Sequence, residues 1–222
     1  MKIASDSVVM ALSGGMDSCS LLAYLLSQGH SVSCVSFVYG SKHNVYERKA
    51  ADRIAEHYGV PLRRVDLAPI MQEFDSDLLK SGGNIPEGHY TDVSMSRTVV
   101  PGRNIIFLSL LAGMAWSEGA SKIAIGIHAG DHAIYPDCRI EFYKAMDTAI
   151  YLGTDRRIEM IAPFADWDKT KILQWGIPRS VPYQLTRTCY KDQELSCGKC
   201  GACQERLEAF RNVNSIDPIL YS

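Results

Sequence analysis

No stretch of this 222-residue sequence stays apolar long enough to cross a bilayer. The first residues lack a basic segment followed by an apolar run and a small-residue cleavage site, so export is not expected. Neither charge sign dominates: 23 Lys and Arg stand against 25 Asp and Glu, a net charge of −2. That balance argues against broad electrostatic binding of nucleic acid. Repeats and low-complexity tracts are missing, which excludes a solenoid. Two phosphate signatures are also missing. Without Gly-Lys-Ser/Thr there is no Walker-type loop, and without G-x-G-x-x-G there is no dinucleotide fingerprint. Seven cysteines are present, but not as a disulfide framework, because four crowd between Cys189 and Cys203. In a chain without an export signal, that crowding points to a metal. The expectation is a soluble, cytoplasmic chain with one ordinary domain and a full core.

The strongest local pattern near the N-terminus is Ser13-Gly14-Gly15-Met16-Asp17-Ser18. Before it, Val8–Leu12 reads as a buried strand. After it, Cys19–Leu26 reads as a buried helix closing at Gly29. A strand that turns through two glycines onto a helix start gathers backbone N–H groups at a positive dipole end. Ser13 and Ser18 add hydroxyl donors. The arrangement predicts a phosphate or pyrophosphate site.

Strands are expected at Val32–Phe37, around Arg64–Leu67, at Lys122–Ile127 and at Ile158–Phe164. Helices are expected at Val45–Tyr58, Ile105–Trp116, Arg139–Ala149 and Lys169–Trp175. This alternation predicts an α/β fold, a Rossmann-like parallel sheet with helices on both faces. Ligands of such sheets sit at the carboxyl ends of strands. The Ser13–Ser18 loop and Tyr39 both lie at such ends. Residues 81–101 lack a clear period and read as a functional or mobile loop whose His89 and Tyr90 close over a ligand. Arg103 and Asn104 follow at the mouth of a buried helix, where a fixed arginine suits a carboxylate or phosphate. The segment 128–139 collects Asp131, Tyr135, Asp137 and Arg139. Its His128 and His132 read as polar lining, and Asp137 reads as the cap of the following helix.

Cys189, Cys197, Cys200 and Cys203 have the spacing of a closed four-thiolate site. Zinc is the expected ion, in a structural role, although an iron–sulfur cluster would use the same ligands. The chain therefore divides into a body at 1–180 and a four-cysteine segment at 181–222 packed on it.

Taken together, these motifs resemble one family. The pattern Ser-Gly-Gly-Met-Asp-Ser resembles the PP-loop of the ATP pyrophosphatases, whose fold is that of the adenine nucleotide alpha hydrolases. Pro86–Tyr90, Val99–Asn104, Tyr135–Arg139 and Thr188–Cys203 resemble, in the same order, motifs of the 7-cyano-7-deazaguanine synthase family. The resemblance implies ATP held by Met10, Ala11, Leu12, Ser13, Gly14, Gly15, Met16, Asp17, Ser18, Cys19, Ser20 and Tyr39. It implies chemistry carried by Ser13, Asp17, Ser18 and Arg103, with Mg²⁺ on the phosphates and Zn²⁺ on the cysteines. The substrate, 7-carboxy-7-deazaguanine, would meet His89, Tyr90, Arg103, Asn104, Asp131, Tyr135, Asp137 and Arg139. Arg103 or Arg139 would hold its carboxylate, and Asp131 or Asp137 its guanine-like edge. The acid would be adenylated, ammonia would displace AMP to give an amide, and a second adenylation would lead to the nitrile. Small molecules are the expected partners, in a homodimer with no stable nucleic-acid or membrane partner. The segment from Ile172 to Pro178 is shorter than the family pattern. Two other readings keep the nucleotide site: an adenylating enzyme with another acceptor, such as tRNA or an amine, and a non-catalytic nucleotide-binding module.

Overall fold

The computed structural model describes residues 4–222, with side chains from residue 6 onward. Residues 1–3 of the expected body lie outside the described residues. Strands β1 (Ala4–Ala11), β2 (Ser31–Val38), β3 (Leu62–Asp66), β4 (Ala120–Ala124) and β5 (Glu159–Ile161) form one parallel sheet in the order β3-β2-β1-β4-β5. Between and after them come α1 (Met16–Ser27), α2 (Asn44–Tyr58), α3 (Ala68–Met71), α4 (Arg103–Glu118), α5 (Ile140–Gly153), α6 (Lys169–Gly176) and α7 (Gly201–Asn212). The chain builds outward from β1 through β2 to β3, then crosses to the other side of β1 for β4 and β5. The crevice at the carboxyl ends of β1 and β4 is therefore the topological switch point.

Alternation along the strands feeds two cores. Val9, Val35 and Ile123 pack with Leu108 and Leu111 of α4 and Ile150 of α5. Val8, Met10 and Cys34 pack with Leu22 of α1, Ile54 of α2, Ile172 of α6 and Phe210 of α7. Both faces of the sheet are thus covered, which is why the strands read as near-continuous apolar runs.

Several boundaries differ from those expected, for identifiable reasons. Helix α1 starts at Met16 rather than Cys19, so Asp17 and Ser18 belong to its first turn. Strand β4 stops at Ala124 rather than Ile127, because Met10, paired to Ala124, is followed only by Ala11 before β1 turns into the loop. Residues 81–101 hold a 3-10 turn, Val93–Thr98. Asp137 does not cap α5; its Oδ2 instead accepts the backbone N–H of Asn104, at the start of α4. The short connection after α6 closes through a 3-10 turn, Ile177–Arg179. Gly176 makes this possible, since a Cβ there would lie 2.0 Å from the Tyr183 hydroxyl.

The C-terminal segment is bound into the body. Val181, Tyr183 and Phe210 belong to the second core. Arg206, 0 % exposed, donates to both carboxylate oxygens of Asp217, to the hydroxyls of Thr186 and Thr188, and to the carbonyl of Tyr183. A buried guanidinium with every donor satisfied fixes one geometry for the whole segment.

Candidate active site

The site begins with backbone. Gly14 has φ +93°, and a Cβ there would come 2.4 Å from the carbonyl oxygen of Glu47 on α2. Only glycine lets the loop pass this close to the helix. Gly15 occupies the N-cap position of α1 without a side-chain cap. The first-turn N–H groups of α1 therefore have no capping side chain, at the positive end of the helix. Ser13 Oγ accepts from Gly15 N at 3.2 Å and lies 3.1 Å from Ser18 Oγ. These groups open onto a cavity of about 210 Å³.

The cavity has two chemical halves. One is apolar and aromatic, walled by Val35, Phe37, Tyr39, Phe107 and Ile125. Phe37 and Phe107 stack with centroids 4.2 Å apart. Arg103 also lines the cavity, and its guanidinium lies 6.0 Å from the ring centroids of both Tyr39 and Tyr135. Among the described residues, no carboxylate lies within ion-pair distance of Arg103. Burial works against its charge, but its neighbours, Tyr39 and Asp137 foremost, more than offset that and raise its pKa above the ordinary arginine value.

The other half is a buried ionic cluster. Lys169, the first residue of α6, is held there because Asp168 caps the helix by accepting from Lys171 N at 2.7 Å. Lys169 Nζ lies 2.6 Å from Glu205 and 3.3 Å from Asp17. His128 Nε2 lies 3.6 Å from Asp17 and 3.4 Å from Asp131. Burial favours neutral Asp17, yet Lys169 and His128 together hold its carboxyl below the usual range. Burial likewise disfavours the His128 cation, and Asp131 and Asp17 more than offset it, so its pKa is raised. Asp17 Oδ1 is buried without a hydrogen-bond partner.

Of the residues expected to hold nucleotide, Ala11, Leu12, Ser13, Gly15, Asp17, Ser18 and Tyr39 line the cavity. Met10, Met16 and Cys19 lie in the core instead. Gly14 shapes the loop from behind, and Ser20 bonds to Met16 O and the Tyr183 hydroxyl. Of the expected substrate residues, Arg103, Asn104 and Asp131 line the cavity, while Tyr90 and Tyr135 line a side pocket beside it. His89, Asp137 and Arg139 line neither. His89 pairs with Glu208 on the surface, and Arg139 Nε donates to the His132 carbonyl.

Sequence reasoning passed over several polar wall residues, among them His43, Glu47, Arg187, Tyr190 and Glu205. Three of them come from the C-terminal segment. Arg187 N donates to Gly14 O at 2.8 Å, while its guanidinium donates to the carbonyls of Lys191, Gln193 and Glu194. The loop over 81–101 also rests on this segment, through Gly88 N to Lys199 O and through Lys191 Nζ to Glu87 at 2.5 Å. In the segment itself, one Sγ from each of Cys189, Cys197, Cys200 and Cys203 lies within 4.8 Å of the others, all buried. Cys197 N and Lys191 N approach Cys189 Sγ, and Lys199 N and Cys200 N approach Cys197 Sγ. Four converging sulfurs with N–H donors around them fit a tetrahedral metal ion.

Comparisons with known proteins point to one family. The family "Queuosine biosynthesis protein QueC" matches residues 7–214. A 7-cyano-7-deazaguanine synthase from Caldicellulosiruptor bescii is 46% identical over 213 residues, covering 96% of each chain. A synthase of the same name from Pseudoalteromonas translucida is 45% identical, over 98% of this chain and 99% of that one. Among solved structures, NMN synthetase from Francisella tularensis superposes with TM-score 0.50 at 12% identity, covering 96% of this chain and 79% of the other. A glutamine-dependent NAD⁺ synthetase from Acinetobacter baumannii gives TM-score 0.52 at 18% identity, covering 84% and 33%. At such identities the two structures speak for the fold alone. With the family match spanning nearly the whole chain, this protein belongs to the QueC family of queuosine biosynthesis proteins.

Proposed function

We propose that this chain makes 7-cyano-7-deazaguanine from 7-carboxy-7-deazaguanine and ammonia at the expense of ATP. It adenylates first the acid and then the amide. The observation that supports the reading is one cavity lined both by the glycine loop, with its uncapped helix start, and by Arg103, which has no carboxylate within ion-pair distance among the described residues. In this reading Ser13, Gly15 and Ser18 hold the pyrophosphate as it leaves, and Lys169 and the first turn of α1 stabilise its charge. Arg103 holds the carboxylate that is to be activated. Tyr39 and the aromatic half take a flat base. Of the two carboxylates expected at the guanine-like edge, Asp131 stands on the wall, whereas Asp137 is committed to α4.

Mg²⁺ fits the free Asp17 Oδ1, and when bound it neutralises phosphate charge. Zn²⁺ fits the four cysteines and supplies fold rather than chemistry. The body at 1–180 and the segment at 181–222 act as one unit in the cytoplasm. The exposed Ile105 and Trp116 of α4 and Leu152 of α5 are offered as part of a homodimer face.

The test is incubation with ATP, Mg²⁺, ammonium and 7-carboxy-7-deazaguanine, followed by mass spectrometry for amide and nitrile. Both products are expected. AMP and pyrophosphate without either product would sink the reading and favour another acceptor. Arg103→Ala should raise KM for the acid about 10- to 100-fold, the worth of a charge-assisted bond. An unchanged KM would remove Arg103 from this role.

A further inference from the structure

Two histidines stand on the cavity wall, His43 and His128, and they differ in what faces them. His43 is the N-cap residue of α2 and is 5 % exposed. Its Nε2 lies 3.2 Å from Glu47 Oε2, one turn further along the helix, and Glu47 lines the cavity as well. Its Nδ1 is buried and has no hydrogen-bond partner among the described residues. A neutral imidazole that donates Nε2–H to a carboxylate carries its lone pair on Nδ1. The carboxylate fixes the tautomer and the ring, and it stabilises the cation formed when Nδ1 takes a proton.

The neighbours of this pair are those of the proposed chemistry. The His43 ring packs edge-on against Tyr39, with centroids 6.4 Å apart, and lies 5.4 Å from Tyr190. The Arg103 guanidinium lies 6.0 Å from the same Tyr39 ring. A proton acceptor and a carboxylate holder thus share one aromatic neighbour in the cavity. The backbone of Glu47 stands against the glycine loop, where a Cβ on Gly14 would come 2.4 Å from its carbonyl oxygen. His128 is placed differently. Its Nε2 lies near both Asp17 and Asp131, and these carboxylates raise its pKa. That keeps it cationic to higher pH, and a cation cannot accept a proton.

We propose that His43, oriented by Glu47, is the general base that takes the proton from the attacking nitrogen when the amide forms. The role rests on the function proposed above. The nitrogen of ammonia attacks the acyl carbon of the adenylate. The bond from that carbon to the AMP oxygen breaks, and AMP leaves with the electron pair. The surplus N–H proton passes to Nδ1 and from there to solvent. The nitrile step asks the same of the base: an N–H proton leaves as the C–O bond to AMP breaks and the C≡N bond forms.

The experiment compares ammonia with hydroxylamine as acceptors, on the intact, metal-loaded protein supplied with ATP and the acid. The hydroxylamine adduct is acidic enough to lose its proton to water, so it bypasses the base. His43→Gln keeps an amide nitrogen for Glu47 but has no basic nitrogen. In this variant the ratio of amide to hydroxamate should fall about 10²-fold, the usual worth of a general base. Glu47→Gln keeps an acceptor for Nε2 but loses the charge, and should lower the ratio by about tenfold or more. An unchanged ratio in His43→Gln would overturn the proposal, whether both products fall together, as for a residue that only shapes the wall, or neither falls. An unchanged ratio in Glu47→Gln would overturn the orienting role of Glu47. Failure of the function itself shows in wild type. Neither product would reject the adenylation, hydroxamate alone would reject ammonia as the acceptor, and either result would take the base with it.

Discussion

The loop at Ser13–Ser18 and the C-terminal segment at 181–222 are each anchored by a motif, of six residues in one and fifteen in the other (Cys189–Cys203), yet they are built by opposite means. The loop is made by backbone. Its strand, its glycines and its helix start are neighbours along the chain, and β1 and α1 carry it. The segment has little core of its own. Its hydrophobic cluster is largely the four cysteines themselves with Ala202, Tyr190, Ile85 and Tyr221 around them. It holds its shape through Arg206, Arg187 and a set of sulfurs that suit a metal. Even so, it supplies Tyr190 and Glu205 to the cavity and braces Gly14 from behind. A region that looks like a structural appendage therefore completes the wall of the site.

The largest expected effect breaks the segment. Cys200→Ser removes one of the four converging thiols proposed to hold the metal, and structural metal sites contribute folding energy outright. Tm should fall by about 10 °C or more and turnover should be lost together with metal content. Full activity in a metal-free variant would show that the segment is only attached. Next comes the loop's own chemistry. Asp17→Asn leaves the metal in place but removes the carboxylate that faces Lys169 and His128. Pyrophosphate release should drop about 10²- to 10³-fold with metal content unchanged.

Gly14→Ala addresses geometry rather than chemistry. Its methyl meets the carbonyl of Glu47 and the amide N of Ala51, both backbone atoms that cannot swing away, at a φ that disfavours side chains. A loss of about 2 kcal/mol is expected, read as a lower urea midpoint with an unchanged m-value. The smallest effect is a pH dependence. The folded-state pKa of His128 is raised above its usual 6.5. Its contribution is thus fully present below about pH 6.5 and lost as pH rises through the raised value. The Tm gap between wild type and His128→Gln should shrink from pH 6 to pH 9. A gap that widens would contradict the cluster's electrostatics.

How much of this was legible in the sequence follows the same divide. The parallel sheet, the glycine turn from β1 into α1 and the four converging sulfurs were readable because each is signalled by neighbours along the chain. Arg103 was readable because it opens a helix next to the loop's strand end. Glu205 was not. It sits two residues after Cys203 on a helix that gives no sign of pointing at Lys169, 36 residues earlier. Arg187 and Tyr190 were hidden for the same reason, since only the closed segment brings them to Gly14 and Tyr135. His89 misled in the other direction: a histidine in a long polar loop found a surface carboxylate, Glu208, rather than the cavity. Asp137 looked like the cap of the next helix and instead caps the one before. Local pattern specifies a cap's chemistry, but not which helix end lies within reach.

The account's central claim is that the loop and the cysteine segment form one site. Amide hydrogen exchange on the intact protein before and after chelation tests it most directly. The account predicts that residues 186–205 lose protection on metal removal, and that the Ser13–Ser18 loop and the start of α6 lose it with them, along with ATP affinity. A loop that keeps its protection and binds ATP unchanged, while the segment exchanges freely, would contradict it.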